Sequence, residues 1–202
     1  MAEKKLPVIT INRLYAAYGT TVAKLLSDRL GIPYYDKDFI KKTVAESEYE
    51  TSEVEHNGEE ISTGNKFLNM LLNNTVGSYP DMIRDLYLIQ RKVILELAQT
   101  DCIIIGRCAN HILREAGIPT FDIFLYGDIE HRKQHSAELE EAKGRDLDKY
   151  IAQRDAFRNN YYRTFVGTDI DDCTNYHICL DTGRISPETC ADIIIGLLEK
   201  WN

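Results

Sequence analysis

Apolar runs alternate with amphipathic segments along the whole chain. Short runs rich in β-branched residues predict buried strands at 8–12, 32–36, 102–105, 121–126 and 176–180. Runs without polar alternation are typical of strands covered on both faces, as in a parallel sheet. The pattern therefore predicts an α/β fold in one domain spanning 1–202, a doubly wound five-stranded parallel sheet.

Apolar residues at helical spacing predict the intervening helices. The first runs from Thr20 and ends at Gly31, a residue suited to a helix C-cap, and the last begins at Ser186-Pro187-Glu188. The other predicted helices cover 39–45, 81–99, 108–115, 128–141 and 147–163. Seven glutamates without lysine or arginine in 46–60 indicate a solvated acidic segment. Residues 38–80 are predicted to form an insert between the second and third strands.

The turn between the first strand and the first helix is a candidate anion site. Amide groups at a helix N-terminus point outward, and the helix dipole favours a negative charge there. The amides of Gly19, Thr20 and Thr21 are therefore predicted to bind phosphate. Neither GxxxxGK[ST] nor GxGxxG is present. An ordinary turn with a threonine cap is the alternative interpretation.

Charge and composition narrow the classes of partner. The formal net charge of -8, from 24 basic and 32 acidic side chains, argues against non-specific nucleic-acid binding and against an anionic membrane surface. No run approaches the roughly 18 apolar residues of a membrane helix. Five cysteines without a CxxC pair predict reduced thiols. We therefore expect a cytoplasmic protein that acts on small molecules, with its oligomeric state left open.

The first loop and the segment after it resemble the cytidylate kinase-like family of P-loop kinases. That family reads R-x-Y/F-G-S-G-G-x-x-I/V-A, followed by L-G-I-P-x-Y-D. The matching residues here are Arg13, Tyr15, Gly19, Val22 and Ala23, followed by LGIPYYD at 30–36. The chain departs from the family at Ala16, Ala17 and Tyr18, where two glycines are lost.

Two later stretches extend the resemblance. The segment IGRCA at 105–109 is similar to the family's V-G-R-C/D-A, and NYHICLDT at 175–182 is similar to N-Y-D-L-x-L-x-T. His177 replaces the usual aspartate in the second of these. The family also carries a signature of arginine and aspartate after its lid segment. Arg154, Asp155 and Arg158 match this signature.

The resemblance implies a P-loop kinase fold with strand order 2-3-1-4-5. It implies transfer of a phosphoryl group from ATP to a nucleoside monophosphate, with a cytidylate-like acceptor, and a requirement for magnesium. Residues 38–80 would be the acceptor-side insert, and a lid would lie at about 140–150. Nucleotides would be the partners.

The resemblance also implies roles for individual residues. Arg13, Gly19, Thr20 and Thr21 would bind the donor phosphates, with the Thr20 hydroxyl on magnesium. Arg107 would bind the acceptor phosphate, and Asp36, at the end of the second strand, would face the acceptor. Arg154 and Arg158 would act in catalysis together with Asp155, which would orient either the arginines or the acceptor. Thr182 would lie near the donor base.

Other interpretations remain open at this point. A catalytically impaired nucleotide- or phosphate-binding regulatory protein on the same fold is favoured by Ala16, Ala17 and Tyr18. A scaffold that binds no nucleotide would be supported by a Tyr18 ring filling the loop, where a phosphate would lie. Replacing Ala16 and Tyr18 by glycine is expected to tighten ATP binding and to lower stability by roughly 0.5–1 kcal/mol per site.

The helix predicted at 128–141 carries four further polar residues of interest. Arg132 and Lys133 are interpreted as ion-paired residues on the helix surface. His131 and His135 are spaced like zinc ligands, but a solvated helix face is the favoured interpretation.

Overall fold

Five parallel strands form the centre of the protein. A computed structural model describes residues 6–36 and 80–201. The strands are β1 (Val8–Arg13), β2 (Tyr34–Tyr35), β3 (Ile103–Ile105), β4 (Thr120–Tyr126) and β5 (Ile178–Asp181). Their order is β2-β3-β1-β4-β5, and every pair is parallel. The predicted fold class and strand order are confirmed.

The register explains why the sheet is buried on both faces. Ile9 lies between Ile103 of β3 and Phe121 of β4, and Ile11 lies between Ile105 and Ile123. All these side chains are fully or almost fully buried. Uninterrupted apolar runs are typical of such doubly covered strands.

Helices cover both faces of this sheet. They are α1 (Gly19–Leu30), α2 (Pro80–Leu97), α3 (Ala109–Glu115), α4 (Ile129–Glu138), α5 (Leu147–Val166) and α6 (Pro187–Leu198), with a short 3-10 turn at Cys173–Asn175. Helices α1 and α6 pack in one apolar cluster with the sheet, and α2, α3 and α5 contribute to a second. The predicted ends at Gly31 and Ser186 are confirmed, since Gly31 is left-handed and Ser186 accepts a hydrogen bond from the Thr189 amide.

Several predicted features lie outside the described residues. These are the helix at 39–45, the acidic segment 46–60 and nearly all of the insert at 38–80. The segment proposed as a lid falls on the turn between α4 and α5. Helix α4 ends three residues earlier than predicted, and Glu140, Lys143 and Gly144 have positive φ.

Within the two described ranges, no helix has the length and apolarity to cross a membrane.

Asp122 of β4 is a fully buried carboxylate near the amino end of the sheet. One of its oxygens accepts from the Thr10 hydroxyl at 2.7 Å, and the other accepts from Thr120 Oγ1 at 2.9 Å and from Arg114 Nη2 at 2.9 Å. Thr10 and Asp122 are also paired across β1 and β4. The cluster satisfies the buried polar groups at this edge of the sheet.

Replacing Asp122 by alanine should lower the free energy of unfolding by about 3–5 kcal/mol, because two hydroxyls and a guanidinium lose their buried acceptor. Urea denaturation measures this loss. Asp192→Ala is the control. Its carboxylate is 69% exposed and pairs with Arg29 at the surface, so its loss should cost less than about 1 kcal/mol. Equal losses for the two variants would contradict the prediction.

Candidate active site

The predicted site residues gather where the strands end. Arg13 is the last residue of β1, Asp36 follows β2, Gly106 and Arg107 follow β3, and Thr182 follows β5. Because the strands are parallel, all these positions meet at the carboxyl edge of the sheet. Open α/β sheets bind their ligands at this edge.

The loop between β1 and α1 has a backbone that glycine adopts easily. Ala16 has φ 59° and Tyr18 has φ 55°, both in the left-handed region. A residue with a Cβ pays about 1–2 kcal/mol in that region. The loop has thus kept a glycine-type conformation at the two positions where the resemblance places lost glycines.

Helix α4 holds two carbonyl groups of this loop. Arg132 Nη1 donates to the Tyr15 carbonyl at 3.3 Å, and His135 Nδ1 lies 2.9 Å from the Ala16 carbonyl. A carbonyl can only accept, so the His135 Nδ1 carries the proton.

The Arg132 side chain is 11% exposed. Arg132 is ion-paired as predicted, with Asp155 at 2.5 Å, but this pair does not lie on the helix surface. The prediction of a solvated face is wrong for His135, whereas His131 is exposed and pairs with Asp128.

Helix α5 holds the same loop from a second direction. Asp155 Oδ1 accepts from the Tyr15 amide at 2.7 Å, and its other oxygen accepts from Arg132 at 2.5 Å. Arg158 Nη1 donates to the Arg13 carbonyl at 3.3 Å. Asp155 therefore contacts the loop and Arg132, and its carboxylate joins α4, α5 and the loop.

The amides at the start of α1 remain available. Within the described ranges, the N–H groups of Gly19, Thr20 and Thr21 donate to no other group. Three loop carbonyls are engaged by α4 and α5, whereas these amides are not. Free amides at the N-terminus of a long helix favour an anion.

The Tyr18 ring packs on α4. It lies face to face with the His135 imidazole, with centroids 3.7 Å apart and planes within 7°. The ring does not line the cavity described next. The scaffold interpretation, which requires this ring to fill the loop, gains no support from its position.

Four arginines line one cavity of about 70 Å³ beside the loop. They are Arg13, Arg107, Arg154 and Arg158, and aromatic side chains of α5 form part of the same wall. Carboxylates in the described part of the chain form salt bridges with several other arginines, but with none of these four. The cavity is therefore strongly cationic.

The arginines repel one another. Burial, followed by repulsion from Arg158 and Arg107, holds the pKa of Arg13 well below its usual range, although Asp36 opposes this shift. Burial and the charge of Arg154 lower the pKa of Arg158 to about 10. These lowered pKa values mean that keeping Arg13 and Arg158 charged in the folded protein costs free energy. An anion in the cavity would remove much of that cost.

Aromatic faces support two of these cations. The guanidinium carbons of Arg154 and Arg158 each lie 5.5 Å from the centre of the Tyr15 ring. Arg154 is also 5.8 Å from Tyr150, whose ring meets Tyr15 edge to face. Tyr15 donates its hydroxyl to Glu141 at 3.0 Å. Cation–π contacts of this kind stabilise a charge without neutralising it.

Arg107 stands on a left-handed turn. Gly106, Arg107 and Cys108 have φ of 73°, 60° and 56°. A Cβ on Gly106 would lie 2.5 Å from Arg13 Nη1, and one on Gly19 would lie 3.0 Å from the Arg13 side chain. Arg13 thus lies against both loops, and a Cβ at either glycine would force its side chain to move. Such strained turns are frequent at functional sites.

Comparison with known proteins identifies the relatives of this chain. The model of the cytidylate kinase-like family matches residues 8–184. The chain belongs to the cytidylate kinase-like family. A cytidylate kinase from Methanothermobacter thermautotrophicus is 26% identical over 182 residues, which cover 90% of this chain and 98% of that protein.

Solved structures share the kinase fold. An uncharacterized protein from Eubacterium ventriosum aligns with a TM-score of 0.67 and 21% identity, covering 96% of this chain and 98% of that one. Shikimate kinase from Bacteroides thetaiotaomicron aligns with a TM-score of 0.60 and 12% identity, covering 96% and 99%. At these identities the likeness shows the shared fold alone.

Two further residues from the sequence analysis are Thr182, which the resemblance places near the donor base, and Lys133, which is interpreted as an ion-paired residue on the helix surface. Thr182 is buried and donates both its amide and its hydroxyl to the Tyr126 carbonyl, at 2.7 and 2.9 Å. It therefore ties the loops after β4 and β5 together, and its contact with a donor base stays a prediction. Lys133 pairs with Glu130 and Asp148 at 3.1 and 2.7 Å, which confirms its ion-paired role.

The left-handed φ of Ala16 reverses the stability change expected there from sequence. Ala16→Gly should leave the free energy of unfolding unchanged or raise it by up to about 1 kcal/mol, because relief of strain exceeds the added freedom of the unfolded chain.

Ala17→Gly is the matched control. Ala17 is buried beside it without a positive φ, so this variant should lose about 1 kcal/mol. Urea denaturation of both variants checks the difference. A larger loss at position 16 than at position 17 would contradict it.

Proposed function

We propose that this protein transfers the terminal phosphoryl group of ATP to a nucleoside monophosphate, with CMP as the foremost acceptor. The observation that carries the proposal is the cavity lined by four arginines, none of which forms a salt bridge with a carboxylate of residues 6–36 or 80–201, next to the free amides of α1. Phosphoryl transfer needs positioning and positive charge more than it needs a protein nucleophile. Membership of the cytidylate kinase-like family supports the same reaction.

The donor phosphates are assigned to the loop between β1 and α1. The amides of Gly19, Thr20 and Thr21 would bind phosphate oxygens, and Arg13 at the end of β1 would add a charged donor. These groups lie at the N-terminus of a 12-residue helix whose dipole favours the same charge. Thr182, on the loop after β5, is assigned to the side of the donor base.

Thr20 is the residue we assign to magnesium. It is exposed in the first turn of α1, and its oxygen suits a cation that retains water and phosphate oxygens as its other ligands. The described segments contain no group of three or more histidines, cysteines and carboxylates able to hold a metal ion. The ion would therefore be bound together with ATP. It would withdraw negative charge from the phosphates.

The acceptor phosphate is assigned to Arg107. Its left-handed turn directs a side chain whose planar fork can donate two parallel hydrogen bonds to a phosphate. Its guanidinium lies 5.9 Å from the centre of the Tyr161 ring, and Tyr161 donates its hydroxyl to Gln90. Asp36, after β2, is assigned to the acceptor side as well.

Arg154 and Arg158 are assigned to the group in transfer. Both lie over Tyr15 on the inner side of α5 and line the cavity between the two proposed phosphate sites. Their charges would stabilise the transition state without a rearrangement of solvent. Asp155, between them in sequence, would act through the loop it holds. The proposed lid at about 140–150 precedes these residues directly.

A regulatory protein that binds nucleotide without turnover is the second candidate. Its supporting observation is the replacement of loop glycines by Ala16 and Tyr18. The glycine-type φ of both residues retains the backbone that phosphate binding needs, and both candidates require that backbone. The enzyme is preferred because of the family membership and because Arg154 and Arg158 line the cavity in addition to the residues assigned to phosphate binding. CMP is favoured among acceptors because the Methanothermobacter relative is named a cytidylate kinase.

Direct assay of the reaction is the test. The protein is incubated with ATP and magnesium and with CMP, UMP, AMP or GMP, and the nucleoside diphosphates are separated by chromatography. We expect CDP to form fastest. ATP binding by calorimetry without any diphosphate product would favour the regulatory protein. Absence of both binding and turnover would refute both candidates.

Arg107→Ala should weaken nucleoside monophosphate binding by about 1.5–3 kcal/mol, the worth of a hydrogen bond to a charged group. ATP affinity should change much less, because the donor phosphates are assigned to the other loop. Isothermal titration calorimetry measures both affinities.

Arg163→Ala serves as the control for charge. Arg163 lies in the last turn of α5, is 57% exposed and pairs with Asp169. Its removal should leave monophosphate affinity unchanged. An unchanged affinity in Arg107→Ala for every monophosphate tested would remove Arg107 from the site.

A further inference from the structure

We propose that His135 is a positioning residue that holds the phosphate-binding loop in the conformation that glycines would otherwise permit. The inference rests on the proposed function only in taking this loop as the ATP site. His135 lies on α4, within the span that the family model matches but outside the short motifs that carry the resemblance in the sequence analysis. Its imidazole contacts both of the left-handed residues in the loop, through two different surfaces.

The loop needs an external restraint because its own residues disfavour its shape. Ala16 and Tyr18 adopt φ of 59° and 55°, and both carry a Cβ. Neither Tyr18 nor any other side chain caps the start of α1. Strained conformations persist only where surrounding contacts determine them.

His135 provides these contacts in two directions. Through its edge, Nδ1–H donates to the carbonyl of Ala16 at 2.9 Å. Through its face, the ring stacks on Tyr18 at 3.7 Å. The hydrogen bond fixes the direction of the peptide group that follows Ala16. The stacking contact fixes the side chain of Tyr18.

Arg132 completes the restraint from one helical turn away. It lies three residues before His135 on the same face of α4 and donates to the preceding carbonyl, that of Tyr15. Arg132 is also bound to Asp155 and to the Gly127 carbonyl. His135 has the narrower role, since the contacts given above are confined to the two strained residues. It is therefore the better residue for a test.

The consequence concerns the free amides of Gly19, Thr20 and Thr21. They follow Tyr18 directly, so their direction depends on the left-handed turn before them. When the loop relaxes, these amides no longer converge on one anion. Removal of the imidazole should therefore weaken ATP binding although His135 itself touches no phosphate.

The test is rescue by glycine. His135→Ala should weaken ATP binding about tenfold, or about 1.4 kcal/mol, in calorimetric titration with ATP and magnesium. Ala16→Gly removes strain but keeps the carbonyl that His135 contacts. In the double variant His135→Ala/Ala16→Gly, the loss of affinity relative to Ala16→Gly alone should be clearly smaller than tenfold, with a remainder because Tyr18 keeps its positive φ without the stacked ring.

Two matched controls separate this effect from general damage. His135→Ala/Ala17→Gly places glycine in the same loop without relieving a positive φ, and it should not restore affinity. Gln134→Ala changes an exposed neighbour on α4 and should leave affinity unchanged. His135→Phe, which keeps a ring to stack but loses the donor, and His135→Gln, which keeps a donor but loses the ring, should each lose less than His135→Ala.

Measurements of unfolding in urea test the role of His135 even if no variant binds ATP. In urea, His135→Ala should lower the unfolding midpoint less in the Ala16→Gly background than in the Ala17→Gly background. If no variant binds ATP, the proposed function fails while this comparison still decides the role of His135. Equal shifts in both backgrounds, or a loss of ATP affinity that Ala16→Gly does not rescue, would overturn the inference.

Discussion

The structure depends on how side chains of α4 and α5 hold the carbonyl groups that follow β1. Arg158, Arg132 and His135 donate to the carbonyls of residues 13, 15 and 16, and Asp155 accepts the amide of residue 15. Because these groups are engaged on the outer side, the amides at the start of α1 are left for a ligand. The two helices therefore shape a binding loop from outside, where many phosphate-binding loops depend on glycine within.

The same helices bring together charges that oppose folding. Arg13, Arg107, Arg154 and Arg158 share one cavity, and burial together with mutual repulsion lowers the pKa of Arg13 and Arg158. Tyr15 offsets part of this cost with its face, which meets two guanidinium groups, and its hydroxyl is tied to Glu141. The site is therefore less stable than an uncharged site of the same shape, as expected of groups arranged for a ligand rather than for the fold.

Sequence patterns predicted the sheet better than the site. Apolar runs located all five strands because doubly covered strands are mostly apolar, even with Thr10, Asn12 and Asp122 buried among them. Strand order came from the family resemblance, since pairing leaves no local signal. Arg13 and Arg107 were found through the same resemblance, and the position of Arg107 after a buried strand indicated the same. The roles of Arg132 and His135 at the loop were missed because both donate to backbone carbonyls. Every residue has such a carbonyl, so the sequence does not mark the ones that accept these hydrogen bonds. Their spacing on one helical face was the available signal.

The position of Arg13 has a consequence for how two ligands would influence one another. Its side chain lies against Gly19 on one side and Gly106 on the other, so that a Cβ at these positions would lie 3.0 and 2.5 Å from it. A ligand that draws this guanidinium toward the first loop must also change the space and the charge beside the second. Occupancy of the two loops is then coupled, and by thermodynamic reciprocity each ligand alters the affinity of the other by the same factor. If the two loops bind the two substrates as proposed, Arg13 would let each substrate change the affinity of the cleft for the other, whichever binds first.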